Sequence, residues 1–456
     1  MHEGSRRFRF EVSFPMTRLY FFQGGVHPSE LKISQDTPIE ELKIPDRIVV
    51  PLSQHIGAPC EATVAPGDRV RKGDRVGQAT GFVSVNVHAP ISGVVKSIGI
   101  FPHPIGRPLP AVEIESDGED AWTDKLKPHE KYMDLPPETL KEIIRDMGVV
   151  GMGGAAFPTH VKFSPPKERP IDTLIINGAE CEPYLTADHR LMLEEPENII
   201  AGSQIAMRIL GVDRGIIAIE SNKPDAIDKM KGLTEDIPVL EVVALRVRYP
   251  QGAEKQLIKT LLNREVPSSG GLPMDVGVIV QNVGTLSAIY KAVRFGIPLI
   301  ERITTVTGSG VREPKNLRVR IGTPIEVLIE ACGGFTSDVG KVIMGGPMMG
   351  VSQYSLEVPV VKGTSGIVVQ LLSEVEEGSA QPCIRCGSCV RACPARLMPT
   401  VLGVFAQLDM FEEAERYDVV ECIECGCCDY VCPAKIPLVQ LLRYAKAEIL
   451  TRKKAA

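Results

Sequence analysis

Thr173-Leu174-Ile175-Ile176-Asn177 opens the part of the chain that decides the fold. Three further β-type runs follow: Gly215–Glu220, Val242–Arg248 and Val276–Gln281. Helical patterns separate them near Ile199–Leu210, Asp225–Lys231 and Glu254–Leu262, and another comes at Leu286–Phe295. Strands alternating with helices imply right-handed crossovers and a largely parallel sheet, so an α/β domain is expected over residues 136–300. Ligands in such sheets sit beyond the carboxyl ends of the strands. Just upstream, Pro136-Pro137-Glu138 predicts a helix start: proline suits the first turn, and Glu138 complements the N-terminal dipole. Leu140, Ile143, Ile144 and Met147 form its apolar stripe, and Gly148 stops it.

On the amino-terminal side, residues 22–116 are short, β-like and punctuated by Gly-Asp turns. Val64-Ala65-Pro66-Gly67-Asp68-Arg69-Val70 is echoed by Arg71-Lys72-Gly73-Asp74-Arg75-Val76-Gly77. This resembles a lipoyl-type barrel-sandwich, a family that carries its swinging arm on a lysine at a hairpin tip. The equivalent Ser84-Val85-Asn86-Val87 has no lysine, which favours a structural module. Residues 116–135 are charged, hold the only tryptophan, Trp122, and read as a linker. On the carboxyl side, residues 301–372 return to β text (Thr304–Gly308, Leu317–Gly322, Gly345–Gly350) around one helix, Ile325–Cys332. A small β-grasp (SLBB-like) domain is expected there, then a helical, cysteine-rich domain over 374–456 that ends in a helix, Pro437–Lys454.

The chain has 456 residues, with 51 Lys and Arg against 57 Asp and Glu, a net charge of −6. That excludes a broadly basic nucleic-acid binder. No run approaches the ~18 apolar residues of a membrane span, and Met1–Arg7 shows no secretory h-region. Any membrane attachment is therefore expected through partners or a surface helix. The basic residues Arg443, Lys446, Arg452, Lys453 and Lys454 read as a solvated end that suits the helix dipole.

The strongest signal is duplicated. Cys383, Cys386, Cys389 and Cys393-Pro394 fit C-x2-C-x2-C-x3-C-P, and Cys422, Cys425, Cys428 and Cys432-Pro433 fit it again. This run ligates pairs of [4Fe–4S] clusters, the fourth cysteine of each run serving the other cluster. The expected ligand sets are Cys383, Cys386, Cys389 and Cys432 for one cluster, and Cys422, Cys425, Cys428 and Cys393 for the other. Zinc ribbons use a different spacing. Disulfides would need an oxidising compartment that nothing in the sequence indicates. Cys427 reads as a bystander, and Cys60, Cys181 and Cys332 as packing residues. The 28 residues Pro394–Glu421 between the runs carry a helical stripe, Val401, Val404, Phe405 and Leu408.

Single-electron clusters beside an α/β domain call for a redox cofactor in that domain. Gly151-Met152-Gly153-Gly154-Ala155-Ala156-Phe157-Pro158-Thr159-His160-Val161-Lys162-Phe163 follows a helix and does not fit the Rossmann fingerprint. Its glycines and alanines would let backbone approach a flat ligand or a phosphate, and Lys162 would supply positive charge.

That stretch resembles the flavin loop of the NADH-binding flavoprotein of respiratory complex I, G-R-G-G-A-G-F-P-T-G-x-K-W, with Met152 for Arg and Phe163 for Trp. Asn177-Gly178-Ala179-Glu180-Cys181-Glu182-Pro183 resembles its N-x-D-E-x-E-P segment, with Ala179 for Asp. Tyr249–Glu254 is similar to Y-x-x-G-E-E, and Gln281–Leu286 to N-N-V-E-T-L. With the barrel-sandwich start, Gly24-Gly25-Val26-His27-Pro28, and the tandem cysteine runs, about residues 20–450 resemble the RnfC proteins of Rnf electron-transport complexes. The resemblance implies FMN, two [4Fe–4S] clusters and NAD(H) as substrate. It also implies a peripheral subunit on the cytoplasmic face of a membrane complex that couples ferredoxin:NAD+ electron transfer to Na+ or H+ transport, with the other Rnf subunits as partners. It implies that Gly151, Gly153 and Gly154 contact FMN through backbone, that Lys162 supplies charge, and that Asn177, Asn282 and Thr285 hydrogen-bond the flavin or its phosphate. Gly252 would line the site, Phe157 and Phe163 would stack rings, and Glu180 and Glu182 would accept from ribose or nicotinamide. No side-chain catalytic residue is implied. The alternatives are a cluster-only docking subunit with a vestigial flavin domain, or the flavoprotein of a soluble hydrogenase or formate dehydrogenase. The barrel-sandwich start argues against the latter. The cysteine runs argue against the related flavin-like component of a sodium-pumping quinone reductase.

Overall fold

The computed structural model describes residues 19–455 except 269, 376 and 377. At its centre is a four-stranded parallel sheet in the order Leu240–Leu245, Gly215–Glu220, Thr173–Gly178, Val278–Asn282. Both faces are covered. Leu174, Ile176, Ile217 and Ile219 pack against the helices Pro137–Asp146, Ala187–Glu194, Pro196–Leu210 and Val283–Phe295. Ile175, Ile216 and Ala218 point to the other face, against Leu257, Ile258 and Leu261 of Glu254–Leu262. Burial on two sides is what an all-parallel sheet requires, and each isoleucine fully removed from water contributes roughly 1.5–3 kcal/mol.

The third strand differs from the sequence expectation. It occupies Leu240–Leu245, and the chain leaves the sheet before Arg248 to carry Tyr249 outward. The helix Ala187–Glu194 has no counterpart in the expected pattern. The helix Pro137–Asp146 forms where proline and Glu138 place it, burying Leu140 and Ile144. Gly148, at φ +71°, closes it in a left-handed turn; a Cβ there would stand 2.4 Å from the Asn86 carbonyl oxygen.

The amino-terminal module consists of two small antiparallel sheets around Ile48, Val50, Val76, Val87, Ile91 and Val112. Its Ser84–Val87 stretch is buried: Asn86 Nδ2 donates to the Asp146 carbonyl (3.3 Å), and the Phe82 carbonyl lies 2.9 Å from His160 Nε2. The tip that would bear a swinging arm is thus an interface with the α/β domain. The third region is a β-grasp sheet in which Glu301–Thr307 lies between Lys315–Arg320 (antiparallel) and Gly366–Leu371 (parallel), with the helix Ile325–Ala331 against it. Two features depart from the sequence reading. The Ile39–Glu41 strand, from the amino-terminal segment, pairs in parallel with Lys315–Arg320 at the sheet edge. Gly345–Gly350, read as β, is a turn.

Lys362 joins all three regions. Its buried amine donates to the carbonyls of Asn86 (2.9 Å) and Gly148 (2.7 Å), and burial pushes it down to about 7. The carboxyl-terminal region is helical, with Leu402, Phe411 and Leu442 at its core. Most of the basic side chains of Leu438–Ala455 are committed to protein: Arg443 and Lys446 pair with Glu424, Lys453 pairs with Glu415, and Arg452 stacks on Phe411.

Candidate functional site

The glycine loop crosses the carboxyl ends of two central strands. Its base is a bridge between Val150 and Pro158, with Gly151 N–H donating to the Phe157 carbonyl (2.8 Å). Gly153, Gly154 and Ala155 are exposed, and Gly154, at φ +127°, has no atom within 4 Å of where a Cβ would stand. A Cβ on Gly153 would stand 3.3 Å from Asn282 Cβ. Met152 N–H donates to Thr285 Oγ1 (2.8 Å), tying the loop to the first turn of Val283–Phe295. Asn282 caps that helix through its Oδ1, which accepts from Gly284 N–H, while its Nδ2 donates to Asp188 Oδ2 (2.6 Å). Asn177 Nδ2 donates to the Gly252 carbonyl (2.8 Å). Lys162 Nζ donates to Glu254 Oε1 (3.0 Å) and to the Val280 carbonyl (3.2 Å).

The structure therefore gathers Gly151, Gly153, Gly154, Lys162, Asn177, Gly252, Asn282 and Thr285 at one end of the sheet. Gln281, on the same strand end, is buried and its Nε2 has no partner among the described residues. Bare loop backbone and an unsatisfied buried donor suit a flat, phosphorylated, heteroaromatic ligand, the chemistry of FMN, while the carboxamides of Asn177 and Asn282 and the amine of Lys162 are committed to protein partners that shape the loops.

The other expected residues are placed differently. Phe163 is buried in the core and presents no open ring face; Phe157 is half-buried. Both Glu180 carboxylate oxygens accept backbone amides that open the Ala187–Glu194 helix, Asp188 (2.7 Å) and His189 (3.2 Å). Glu182 accepts from the amides of Met348 (3.0 Å) and Met349 (2.9 Å), so it grips the Gly345–Gly350 turn of the β-grasp region. Burial pushes Glu182 up to about 7, against the pull of those amides and Lys32.

Two side chains without a local sequence signal support the loop. Arg302, buried, donates to the carbonyls of Met152 (2.8 Å) and Lys362 (3.2 Å), and burial lowers it to about 10. Asp188 is raised to about 7, by burial first and then by Glu180, with Arg302 opposing. A cavity of about 60 Å³ lies between Met152, Gly284, Asp188 and Arg302.

In the cysteine region the sequence repeat is also a backbone repeat. Arg385 and Glu424 sit at φ 55° and 57°, Gly387 and Gly426 at 72° and 76°, and Arg396 and Lys435 at 57° and 53°. Amides aim at sulfur in both halves: Arg385 N–H to Cys383 Sγ and Glu424 N–H to Cys422 Sγ, both 3.4 Å, and Leu397 N–H to Cys393 Sγ (3.3 Å). The fourth cysteines cross over. Cys393 is close enough to Cys422, Cys425 and Cys428 to influence them electrostatically, and Cys432 likewise influences Cys389, each across the runs. The repeated spacing and the amides aimed at sulfur in both runs suit cubane clusters, although among the described residues no three thiols are gathered closely enough to hold a metal ion. Cys427 is fully buried in an apolar group with Val26 and Tyr249.

The two halves of the site meet at Tyr249. Its buried hydroxyl donates to the Cys425 carbonyl (2.7 Å), while three residues along the same loop Gly252 N–H donates to Cys181 Sγ (3.3 Å) beside Asn177. Gly25 N–H donates to the Ala392 carbonyl (2.8 Å), Gln256 Nε2 to that of Pro394 (3.3 Å), and Lys255 pairs with Glu421 (3.0 Å). The second cysteine group is thus packed directly on the loop that lines the glycine site.

Comparison with known proteins finds four family models along the chain. They are an RnfC barrel sandwich hybrid domain (residues 20–119), a Nuo51 FMN-binding domain (144–291), an SLBB domain (303–352) and a 4Fe-4S dicluster domain (377–433). The chain is 49% identical over 429 residues to the C subunit of the proton-translocating ferredoxin:NAD(+) oxidoreductase complex of Clostridium ljungdahlii, covering 94% of this chain and 93% of that one. It is 45% identical to the C subunit of the Na(+)-translocating ferredoxin:NAD(+) oxidoreductase complex of Acetobacterium woodii, covering 95% and 98%. Among solved structures, a NAD+-reducing [NiFe]-hydrogenase in the H2-reduced state matches at 19% identity and a TM-score of 0.50, over 71% of this chain and 65% of that one, a likeness of fold.

Proposed function

The chain belongs to the RnfC family of ion-translocating ferredoxin:NAD(+) oxidoreductase complexes, and from this we propose that it relays electrons between NAD(H), FMN and two [4Fe–4S] clusters. Bound FMN supplies the exchange between a two-electron nicotinamide and one-electron clusters. The chain holds, orients and insulates. Gly151, Gly153 and Gly154 offer backbone to the flavin; Asn177, Asn282 and Thr285, bonded to Gly252, Asp188 and Met152, hold the loops that meet it; Lys162 supplies charge; Gly252 leaves room beside Asn177 and Cys181. Glu180 and Glu182 act from behind, the first by building a helix start and the second by fastening the β-grasp turn. Cys422, Cys425, Cys428 and Cys393 hold the inner cluster, next to the flavin loops. Cys383, Cys386, Cys389 and Cys432 hold the outer one.

The observation that carries this reading is the Tyr249–Cys425 contact, which packs the inner thiols against the loop that lines the glycine site. Among the described residues no helix is long and apolar enough to cross a membrane. We place the chain as a peripheral subunit, held by its partner subunits on the cytoplasmic face. The test is a flavin, iron and sulfide count on the anaerobically purified complex, followed by NADH addition under EPR. FMN together with two NADH-reducible clusters is expected. Clusters without flavin, and no reduction by NADH, would leave a docking subunit instead.

A further inference from the structure

The two cysteine runs share a backbone but not surroundings. In the inner run, the Cys425 carbonyl accepts from Tyr249, a Cβ on Gly426 would stand 2.8 Å from the Met348 carbonyl oxygen, and Glu424 is neutralised by Arg443 and Lys446. In the outer run the matching positions are not covered by the described residues. Cys383 and Cys386 are exposed, and Ile384, matching half-buried Ile423, is 69% exposed. Among the described residues only the run's own Arg391 Nη1 comes near a Cβ on Gly387 (3.2 Å); Arg391 also donates to the Cys386 carbonyl (3.1 Å). Arg385 is exposed and makes no ion pair among the described residues. Met398 is 44% exposed, two residues before Thr400, whose hydroxyl lies 3.5 Å from Cys383 Sγ.

Charge separates the runs as well. Residues 378–408 contain Arg385, Arg391 and Arg396 and no Asp or Glu, after Glu374, Glu376 and Glu377; Arg396 pairs with Glu265, which leaves Arg385 and Arg391 beside the run. Around the inner run stand Asp418, Glu421, Glu424 and Asp429. By the chain's own repeat, the surface the inner run spends on the flavin loops is left open by the described residues in the outer run, where Arg385 and Arg391 supply positive charge.

We propose that the outer rim, Cys383–Cys386 with Ile384, Arg385 and Arg391, docks an acidic protein face that carries a one-electron redox centre. The proposal rests on the relay reading above. At this contact one electron moves: the outer cluster is oxidised by one as the partner's centre is reduced by one, or the reverse, with no bond made or broken. Rim charges of this kind set encounter rate and salt dependence more than affinity.

The test uses the assembled complex in membranes with R385E/R391E, R385K/R391K and I384D. Reduced-ferredoxin-driven NAD+ reduction is measured against ionic strength, and NADH reduction of both clusters is followed by EPR in the same samples. The charge-reversed pair and I384D are expected to lose at least tenfold in ferredoxin-driven rate with NADH-reducible clusters intact, and the charge reversal to flatten the salt dependence. The lysine pair is expected to stay within about twofold. A charge-reversed complex running at the wild-type rate would overturn the proposal. So would wild-type protein that co-floats with protein-free phosphatidylglycerol vesicles when R385E/R391E does not, since the rim would then face lipid. Clusters that NADH cannot reduce in the wild type would instead count against the relay itself. If the charge-reversed pair loses iron, I384D alone decides: a wild-type rate overturns the proposal and a tenfold loss supports it.

Discussion

Removing one hydroxyl tests the junction most sharply. Tyr249 is 2% exposed and donates to the Cys425 carbonyl at 2.7 Å. Burial, then the nearby Glu182 and Cys181, push its phenol far above the ordinary value, so it is a donor at every working pH. Tyr249→Phe keeps the ring in its apolar group and deletes only the donor. The Cys425 carbonyl is then left buried without that partner, a loss of about 1–3 kcal/mol. At 1.4 kcal/mol per tenfold, local opening of the Cys422–Cys428 segment should become roughly 5–150 times more frequent. Amide hydrogen exchange reads this segment by segment, which global unfolding of a multidomain chain does not. The expected result is faster exchange over residues 422–428 and 249–252, with 383–389 unchanged. Protection equal to wild type in the inner run would mean that the hydrogen bond does not hold the two regions together.

Other outcomes follow from the same contacts. Arg302→Met should leave the carbonyls of Met152 and Lys362 without their buried donor and Asp188 without its nearby cation, and should lower FMN retention at least tenfold by flavin fluorescence after gel filtration. Glu182, raised from 4.5 to about 7, binds a proton more tightly folded than unfolded. Its stabilising effect is complete below the unfolded value and is lost as pH rises through about 7. Wild-type stability relative to Glu182→Gln should therefore fall between about pH 4.5 and 7, seen as diverging melting temperatures; parallel curves would count against it. Gly24 sits at φ +75° with a Cβ position 2.5 Å from the Cys393 carbonyl oxygen, so Gly24→Ala should free the segment around residues 19–28 and expose it to limited proteolysis.

The parts of this molecule that could be read in the sequence are those whose signal is local. The cysteine spacing repeats because each run must wrap one small volume, and the structure repeats its left-handed positions at Arg385/Glu424 and Gly387/Gly426. The central strands and most of their helices are legible for the same reason: Leu174–Ile176 and Ile216–Ile219 state their burial in their own composition. What escaped depends on partners distant in the chain. The Ile39–Glu41 strand has three residues, and only Lys315–Arg320 makes it a strand. Ala187–Glu194 begins on a cap supplied by Glu180, seven residues before its first residue. Glu182 looks like a ligand-facing carboxylate until the Gly345–Gly350 turn, itself read as β, is folded onto it. Arg302 stands in a β-grasp strand, 150 residues from the Met152 carbonyl it holds, and no spacing rule reaches that far.

The proposed relay runs in one order: flavin site, inner cluster, outer cluster. It is tested by NADH reduction under EPR in two single substitutions of the FMN-loaded protein, Cys432→Ser and Cys393→Ser. Cys432→Ser is expected to perturb the outer cluster alone and leave the inner one NADH-reducible. Cys393→Ser should perturb the inner cluster and leave an intact outer cluster that NADH no longer reduces at the wild-type rate. An outer cluster reduced as fast in Cys393→Ser as in the wild type would contradict it.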